Sequence, residues 1–224
     1  MKIALLGYGK MGHAVEETAI ERGHTIGIAI DNAEQWNLEA VAQCDVAIDF
    51  SFPTTAVDNI RRCWDCHVPV VVGTTGWYDQ LETLKKECTE RGETFFVASN
   101  FSIGMNIMFD LNRRLAQLMD GRSNYTASIT ETHHIHKLDA PSGTAITLAN
   151  EIERQNGTKV PIKSIREGEI AGIHEVVYDS DVDTITLVHS AKNRKGLALG
   201  AVLAAEFSLG RKGYLTMEDL LAKN

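Results

Sequence analysis

Short apolar runs alternate with helical patterns through the first hundred residues of the chain. Turn signals bound β-branched runs that predict strands at Lys2–Leu6, Thr25–Ile30, Asp45–Phe50, Val68–Val72 and Thr94–Ala98. The segments between them predict helices at Met11–Arg22, Leu38–Gln43, Thr54–Arg62 and Tyr78–Arg91. Strands that alternate with helices are typical of a parallel sheet in an α/β fold.

The pattern changes after Phe101. A long helix is predicted over Ile103–Leu118, because its apolar residues recur at helical spacing. Further strands are predicted at Tyr125–Thr132, Ser164–Arg166, His174–Tyr178 and Thr184–His189. Further helices are predicted from Ala145, at Leu197–Phe207 and after Thr216. Polar and apolar residues alternate in these strands, as in an antiparallel or mixed sheet. We therefore expect one domain at 1–101 and 195–224 and a smaller α+β domain at 102–194.

Composition limits the class of partner. The chain has 224 residues, of which 44% are hydrophobic and 23% charged, as in ordinary globular proteins. Its net charge of −8 argues against nucleic acid, since a phosphate backbone needs a concentrated basic face. We find no signal peptide and no apolar stretch long enough to span a membrane, so a cytoplasmic protein without a membrane partner is expected.

The cysteines do not form a recognisable site. Cys63 and Cys66 make a CxxC pair followed by His67, which matches a haem-attachment pattern. A redox pair is expected at a helix N-terminus, whereas this one lies near the end of a predicted helix. Inert thiols are therefore expected, with a metal or redox role as the alternative.

A glycine loop follows the first predicted strand and opens the first predicted helix. The residues that fit G-x-G-x-x-G are Gly7, Tyr8, Gly9, Lys10, Met11 and Gly12. Such a loop lets the backbone approach a pyrophosphate, and Asp31 follows the second strand, where a carboxylate binds the ribose of NAD. This predicts a Rossmann-like dinucleotide-binding domain; the alternative is a tight turn with a surface Asp31. Because Asn32 comes next and no cation is obvious nearby, NADH is favoured over NADPH.

Two further loops are predicted at the carboxyl edge of the parallel sheet, where ligands bind in open α/β folds. One contains Gly73, Thr74 and Thr75, and the other contains Ala98, Ser99, Asn100 and Phe101. Both are candidates for contact with the nicotinamide half of the cofactor, and plain turns between strand and helix are the alternative.

Three of the eight histidines, His133, His134 and His136, lie in one short segment. If the preceding strand continues, His134 and His136 share one face and His133 points to the other. Histidine transfers protons near neutral pH, and Lys137 adds a compact positive charge. Acid–base and anion-binding chemistry is therefore predicted here, with a zinc site or solvated loop histidines as alternatives.

A helix start follows the histidines. Pro141 suits the first turn of a helix. The N–H groups of Ser142, Gly143 and Thr144, with two hydroxyls, form a candidate receptor for a carboxylate. An acidic protein can bind an acidic substrate in this way, through backbone dipoles and one or two local cations.

Motifs along the whole chain resemble the 4-hydroxy-tetrahydrodipicolinate reductase (dihydrodipicolinate reductase) family. The most specific is the run from Glu131 to Ala145, ETHHIHKLDAPSGTA. The others are Gly7–Gly12, Asp49–Ser51, Gly73–Gly76, Asn100–Gly104, Ser164–Gly168, Gly172–His174, His189–Ala191 and Asn193 with Arg194. The resemblance implies that NAD(P)H reduces a cyclic, unsaturated dicarboxylic imine in the diaminopimelate route to lysine.

The resemblance also implies roles for particular residues. His133 matches the family's proton donor and acceptor, and Lys137 matches its second proton donor and carboxylate partner. Substrate-binding positions match His134, Gly143 and Thr144, and the cofactor loops match Gly73–Thr75 and Ala98–Phe101. Family members are usually cytoplasmic homotetramers, so we expect a homotetramer that binds a small dicarboxylate and no metal.

Two other functions remain open at this point. A non-catalytic NAD(H)-binding sensor would keep the glycine loop without needing His133 and Lys137. A metal-dependent hydrolase would use the histidine cluster, and stoichiometric zinc would favour it. The glycine loop is one residue shorter than usual for the family, and the stretch from Asp31 to Asp45, which flanks the adenosine, is also short.

Overall fold

The computed structural model describes residues 1–193 and 195–222, with every side chain except that of Ala33. Its elements in chain order are β1 (Lys2–Leu6), α1 (Lys10–Glu21), β2 (Thr25–Ile30), α2 (Leu38–Ala42), β3 (Val46–Asp49), α3 (Pro53–Asp65), β4 (Val70–Val72), α4 (Leu81–Arg91), β5 (Thr94–Val97), α5 (Ile103–Met119), β6 (Thr126–His133), α6 (Gly143–Asn156), β7 (Ile162–Arg166), β8 (Gly172–Asp179), β9 (Thr184–Ala191), α7 (Lys195–Ser208), β10 (Gly213–Leu215) and α8 (Met217–Leu221). Arg194, which belongs to one family motif, lies outside the described residues.

The strands of the first unit form a parallel sheet of six strands in the order β10-β5-β4-β3-β1-β2. Alternate residues of β1 pack on opposite faces, with Ala4 and Leu6 in one core and Ile3 and Leu5 in another. Helices α3 and α4 contribute to the first core, and α1 and α7 to the second. Burial on both faces explains why these strands are apolar throughout rather than alternating. The predicted α/β Rossmann-like fold is confirmed.

The second unit contains a mixed sheet in the order β7-β6-β8-β9. Strand β6 pairs parallel with β7 and antiparallel with β8, which pairs antiparallel with β9. Apolar side chains of α5 and α6, such as Met108 and Leu148, pack with Ile129, Val176 and Tyr178 of the sheet. The alternation of the sequence follows from this arrangement, because only one sheet face contributes to that core.

The two units consist of Met1–Ile103 with Lys195–Asn224, and of Gly104–Arg194. The predicted boundary after residue 101 lies two residues before this division. That the first unit binds the cofactor and the second binds the substrate stays a prediction. Within the described part of the chain, no helix combines the length and the apolar character that crossing a bilayer requires.

Three details differ from the sequence prediction. Strand β10 was not predicted, because three residues beginning with a glycine give no periodic signal. The predicted helix at Tyr78–Arg91 begins as a 3-10 turn over Tyr78–Gln80. Pro141 lies outside the helix that it was expected to begin, since Ser142 is the N-cap and Gly143 the first helical residue.

The four cysteines are free thiols, and Cys44, Cys63 and Cys88 are buried. Burial raises the pKa of the Cys63 thiol well above its usual value. The thiolate is the reactive form of cysteine, and the electropositive surroundings of a redox centre lower the thiol pKa. The raised pKa of Cys63 therefore does not fit a redox role for this CxxC pair.

Candidate functional site

The three glycines of the loop in the first unit serve different purposes. Gly7 has φ +85°, and a Cβ there would lie 2.2 Å from the carbonyl oxygen of Phe50. A Cβ on Gly12 would lie 2.4 Å from the carbonyl oxygen of Gly7, so both positions exclude side chains. Gly9, the N-cap of α1, has no atom within 4 Å of a built Cβ. The loop therefore offers open backbone at Gly9 and N–H donors at Lys10 and the following residues.

Asp31 is fixed against this loop at the end of β2. Its Oδ1 accepts a hydrogen bond of 3.0 Å from the backbone N–H of Tyr8. The backbone N–H of Asp31 donates to Oε1 of Gln35 at 2.6 Å. The Tyr8 hydroxyl donates to Glu16, so this side chain lies along α1. An exposed carboxylate beside the glycine loop matches the ribose-binding position predicted for Asp31.

A cleft of about 130 Å³ lies next to Asp31. Its lining includes Asp31, Trp36, Phe52, Asp58 and Arg62. The Arg62 guanidinium lies 5.1 Å from the centre of the Trp36 ring. The expectation that no cation is near Asp31 is therefore wrong, because Arg62 comes from α3, and sequence distance from Asp31 concealed it.

The loop after β4 is built around a buried carboxylate. The Asp49 side chain receives hydrogen bonds from Ser51, from Thr74 and from Asn59, the last at 2.7 Å. Burial raises the pKa of Asp49, although these hydrogen bonds oppose it. Thr74 is only 5% exposed and its side chain is used in this network, so its predicted contact with the cofactor stays a prediction. Thr75 is exposed beside it.

Close packing shapes the same edge of the sheet around Phe50 and Phe101. A Cβ on Gly73 would lie 2.1 Å from the Phe50 ring, so that loop passes directly over an aromatic side chain. The Phe101 side chain is 1% exposed and belongs to the core. In the loop after β5, Asn100 accepts a hydrogen bond of 2.9 Å from the backbone N–H of Ser102, and Ser99 is exposed. Ala98 is half-buried, and the cofactor contacts predicted for this loop stay predictions.

These features fit a dinucleotide. The cradle at Gly9, the N-terminus of α1 and the fixed Asp31 supply the pyrophosphate and ribose contacts of a Rossmann-like fold. NAD(P)H binding is therefore consistent with the residues present in the first unit.

The histidine segment of the second unit brings together side chains from three adjacent strands. His133 and Glu131 lie two residues apart on β6 and face the same side, and Nδ1 of His133 contacts the Glu131 carboxylate. Arg166 of β7 donates to Glu131 at 2.9 Å. The His174 ring of β8 lies 5.0 Å from the His133 ring, centre to centre. We call Glu131, His133, Arg166 and His174 the His133 cluster.

Glu131, His133 and His174 are buried, and burial affects the pKa of each. Burial lowers the pKa of His133, and the facing Glu131 only partly offsets this. Burial and the neighbouring His133 lower the pKa of His174 to about 4. Burial alone would raise the pKa of Glu131, but hydrogen bonds from Arg166 and others hold it below its usual value. The resting state is therefore an ionised Glu131 beside neutral imidazoles.

Because an ionised carboxylate only accepts hydrogen bonds, a neutral His133 donates its Nδ1–H to Glu131. Its Nε2 then carries the lone pair that takes up a proton. A Cβ built on Gly172, which has φ +152°, would lie 3.0 Å from that Nε2. Gly172 thus keeps the space beside this nitrogen free of a side chain.

Lys137 belongs to the turn that follows β6. Its Nζ lies 2.7 Å from Oδ1 of Asp139, and this pair lowers the pKa of Asp139. Arg166 donates to the backbone oxygens of Lys137, at 3.3 Å, and of Asp139, at 2.5 Å. The same guanidinium therefore holds both Glu131 and the turn that carries Lys137.

The start of α6 reaches the cluster through Ser142. The Ser142 hydroxyl accepts from the Ala145 N–H at 3.2 Å as the helix N-cap and lies 3.1 Å from Nε2 of His174. First-turn N–H groups such as those of Gly143 and Thr144 have no partner within the helix. Gly143 is exposed and Thr144 half-buried, as a carboxylate receptor requires.

The other two histidines of the segment behave differently from the prediction. Strand β6 ends at His133, so His134 and His136 do not continue it and the zinc arrangement on one strand face does not form. His136 is exposed and contacts Glu169 at 3.1 Å. Nδ1 of His134 is buried and has no hydrogen-bond partner among the residues that the structure describes. Its role in substrate binding stays a prediction.

Three residues of the cluster were not predicted as site residues: Glu131, Arg166 and His174. Their ligand-type atoms invite comparison with a metal site, since those of Glu131, His133 and His174 lie within 4.8 Å of one another. Glu131 is, however, already paired with Arg166 and His133. The available signal was positional, because Glu131 precedes His133 by two residues on a predicted strand, and the other two fall in recognised motifs.

Comparison with known proteins adds independent evidence. Family models described as dihydrodipicolinate reductase, N-terminus and C-terminus, match residues 1–101 and 104–221. A 4-hydroxy-tetrahydrodipicolinate reductase of Christiangramia forsetii is 44% identical over 99% of this chain and 98% of its own. A protein of the same name from Akkermansia muciniphila is 34% identical over 95% and 94%. The structure of dipicolinate-bound dihydrodipicolinate reductase from Paenisporosarcina sp. TG-14 shares the fold, with a TM-score of 0.80, 21% identity and 99% coverage of both chains.

Proposed function

The chain belongs to the dihydrodipicolinate reductase family, and we propose that His133 donates the proton in the reaction that this family membership assigns to it. That reaction is the NAD(P)H-dependent reduction of 4-hydroxy-tetrahydrodipicolinate in diaminopimelate and lysine biosynthesis. Nothing in the comparisons favours a non-catalytic NAD(H)-binding sensor or a metal-dependent hydrolase.

One observation carries the assignment of His133. Its imidazole is buried, its Nδ1 is held by Glu131, and its Nε2 faces the space that Gly172 leaves free. NAD(P)H, when bound, supplies a hydride, and the reduced ring of the substrate then needs a proton. A dicarboxylate beside His133 raises the pKa of the imidazole, because a nearby negative charge favours the charged form. His133 therefore takes up a proton at Nε2 as substrate binds and returns it to the reduced ring.

We infer that Lys137 and the N-terminus of α6 bind the substrate carboxylates. Lys137 is close enough to His133 for its charge to help lower the pKa of that imidazole. Its ammonium is paired with Asp139, a partner that a substrate carboxylate could replace. The N-cap residue Ser142 and the first-turn residues Gly143 and Thr144 offer the N–H groups at the start of α6 to an anion. The relative from Paenisporosarcina is bound to dipicolinate, which supports a small aromatic or cyclic dicarboxylate as the ligand class.

We propose that NADH is the favoured cofactor but that NADPH also binds. The Asp31 carboxylate accepts hydrogen bonds from an unmodified ribose and repels a 2′-phosphate. Arg62 lines the same cleft and supplies a positive charge that offsets part of this repulsion. The ratio of dissociation constants for NADH and NADPH, measured by quenching of tryptophan fluorescence, tests this preference.

A homotetramer is the proposed assembly. The sheet of the second unit packs one face on α5 and α6, whereas Thr130, Val177 and Val188 point to the other face, and Val188 is 57% exposed. A sheet face that combines apolar and small polar side chains is suited to self-association. Light scattering during gel filtration tests this, and a monomeric mass would contradict it. A cytoplasmic location stays a prediction.

The test of the proposed activity is loss of NADH absorbance when the purified protein receives the condensation product of pyruvate and aspartate semialdehyde. His133→Gln is expected to lower turnover by about 10²-fold or more, because proton transfer is lost. His136→Gln is the matched control, since His136 is an exposed histidine of the same segment. Equal turnover in wild type and His133→Gln would mean that another group donates the proton.

A further inference from the structure

We propose that Glu131 and Arg166 are positioning residues that fix the tautomer of His133 and tie it to the turn that carries Lys137. The proposal rests on the assigned role of His133 as proton donor and extends it to two residues that act through their contacts with His133 and with the turn that carries Lys137. It stands on one continuous set of contacts within the second unit.

The first contact sets the orientation of the imidazole. Glu131 is completely buried, and its Oε2 faces Nδ1 of His133. A neutral imidazole has one donor and one acceptor nitrogen, and an ionised carboxylate can only accept. The proton is therefore placed on Nδ1, and the lone pair is placed on Nε2.

The second contact keeps Glu131 in the form that this requires. Arg166 donates to Oε1 of Glu131 at 2.9 Å, opposite the oxygen that faces His133. A buried carboxylate without a partner would take up a proton, because burial disfavours its charge. A guanidinium carries only donors and stays protonated, so Arg166 holds Glu131 ionised.

The third contact connects His133 with Lys137. Through its donation to the backbone oxygens of Lys137 and Asp139, Arg166 fixes the turn from which the Lys137 ammonium projects. In the sheet, Arg166 lies directly opposite His133 in the parallel pairing of β6 and β7. One side chain thus holds the proton donor and the carboxylate-binding cation at a fixed separation.

The variant Glu131→Gln tests this with almost no change in shape. The amide oxygen is expected to face Arg166, because the guanidinium can only donate. The amide NH2 group then faces His133 and forces Nδ1 to accept, so the imidazole proton moves to Nε2. A second proton on such a ring would have to sit on Nδ1 against that NH2 group, so His133 can no longer cycle a proton at Nε2.

The primary readout is the 15N spectrum of the imidazole, with the His133 signals assigned by their loss in His133→Gln. The wild type should show the Nδ1–H tautomer and Glu131→Gln the Nε2–H tautomer. In the same variant we expect kcat to fall by about 10²-fold or more and KM to change by less than about 3-fold. Glu131→Asp keeps the charge and should retain the Nδ1–H tautomer and recover part of kcat.

Glu169→Gln is the matched control, because Glu169 is an exposed carboxylate that contacts the exposed His136. It should change neither the His133 spectrum nor kcat. An Nε2–H tautomer in the wild type would overturn the proposal, and that measurement decides it even where Glu131→Gln does not fold. An inactive wild type with the Nδ1–H tautomer would instead contradict the proposed function and leave the positioning geometry standing.

Discussion

Gly172→Ala is the most informative single substitution, because it adds one carbon beside the proposed reactive nitrogen. The new Cβ would lie 3.0 Å from Nε2 of His133 and 3.2 Å from its Cδ2. Carbon and nitrogen atoms in contact need about 3.5 Å or more, so the imidazole must shift by several tenths of an ångström. The methyl group also occupies the place from which a substrate atom would exchange a proton with Nε2.

The magnitude follows from these two effects. Obstruction of proton transfer removes a contribution of roughly 10²-fold, which is the lower end for general acid–base catalysis. A positive φ of 152° is also unfavourable for alanine and costs on the order of 1–3 kcal/mol. We therefore expect turnover to fall by about 10²-fold and the melting temperature to fall by several degrees.

Gly168→Ala separates these effects. Gly168 lies in the connection between β7 and β8, four residues before Gly172, and has φ +49°, but a built Cβ there has no atom within 4 Å. It should lower the melting temperature and leave turnover close to that of the wild type. Steady-state NADH oxidation and thermal unfolding measure both variants. Equal losses of turnover would refute the obstruction argument, and near-normal turnover in Gly172→Ala would show that Nε2 is not the exchanging atom.

Three further outcomes follow from the same structure. The pKa of His174 is about 4 in the folded protein and about 6.5 in the unfolded chain. The stabilising contribution of its neutral form is therefore complete above pH ~6.5, and about 3 kcal/mol is lost as the pH falls to the folded pKa. Denaturant titrations should show that acid lowers the unfolding free energy less in His174→Gln than in the wild type. Ser142→Ala should reduce the unfolding free energy by about 1 kcal/mol, since α6 loses its N-cap, and urea midpoints measure this. Arg62→Ala should weaken NADPH binding by about 10-fold and NADH binding far less, whereas Arg91→Ala, remote from the cleft, should change neither dissociation constant.

The first unit was largely predictable from the sequence, because its signals are local. Gly7 and Gly12 follow a strand and lie where no side chain fits. This local arrangement is typical of dinucleotide-binding turns and can be read from the sequence. Helix and strand boundaries shifted by only a few residues, as with β4, which begins at Val70 instead of Val68. The short β10 escaped because its pairing with β5 comes from residues more than a hundred positions away.

The His133 cluster was predictable only in part, because its members meet across strands. Sequence spacing indicates that Glu131 and His133 share a strand face, but the register that sets Arg166 opposite His133 is a tertiary property. Arg62 and Asp31 likewise line one cleft only through the tertiary fold, so the sequence did not indicate that they are neighbours. The sequence predicted a strand at Tyr125–Thr132 and left open whether it continues through the histidines. The strand ends at His133 and the chain then turns, with the Lys137 N–H donating to the His134 carbonyl.

Two ion pairs at and beside the His133 cluster differ in how easily they separate. Arg166 is offset by Glu131 and Lys137 by Asp139, so the two cations are nearly neutralised in the free protein. Glu131 of the first pair is completely buried, and separating the pair would leave its charge uncompensated. The second pair is exposed at Asp139, which is 56% accessible, and such pairs contribute little to stability. If Lys137 binds a substrate carboxylate as proposed, we expect that carboxylate to displace Asp139 at small cost, while Glu131 and Arg166 stay in place to hold the imidazole.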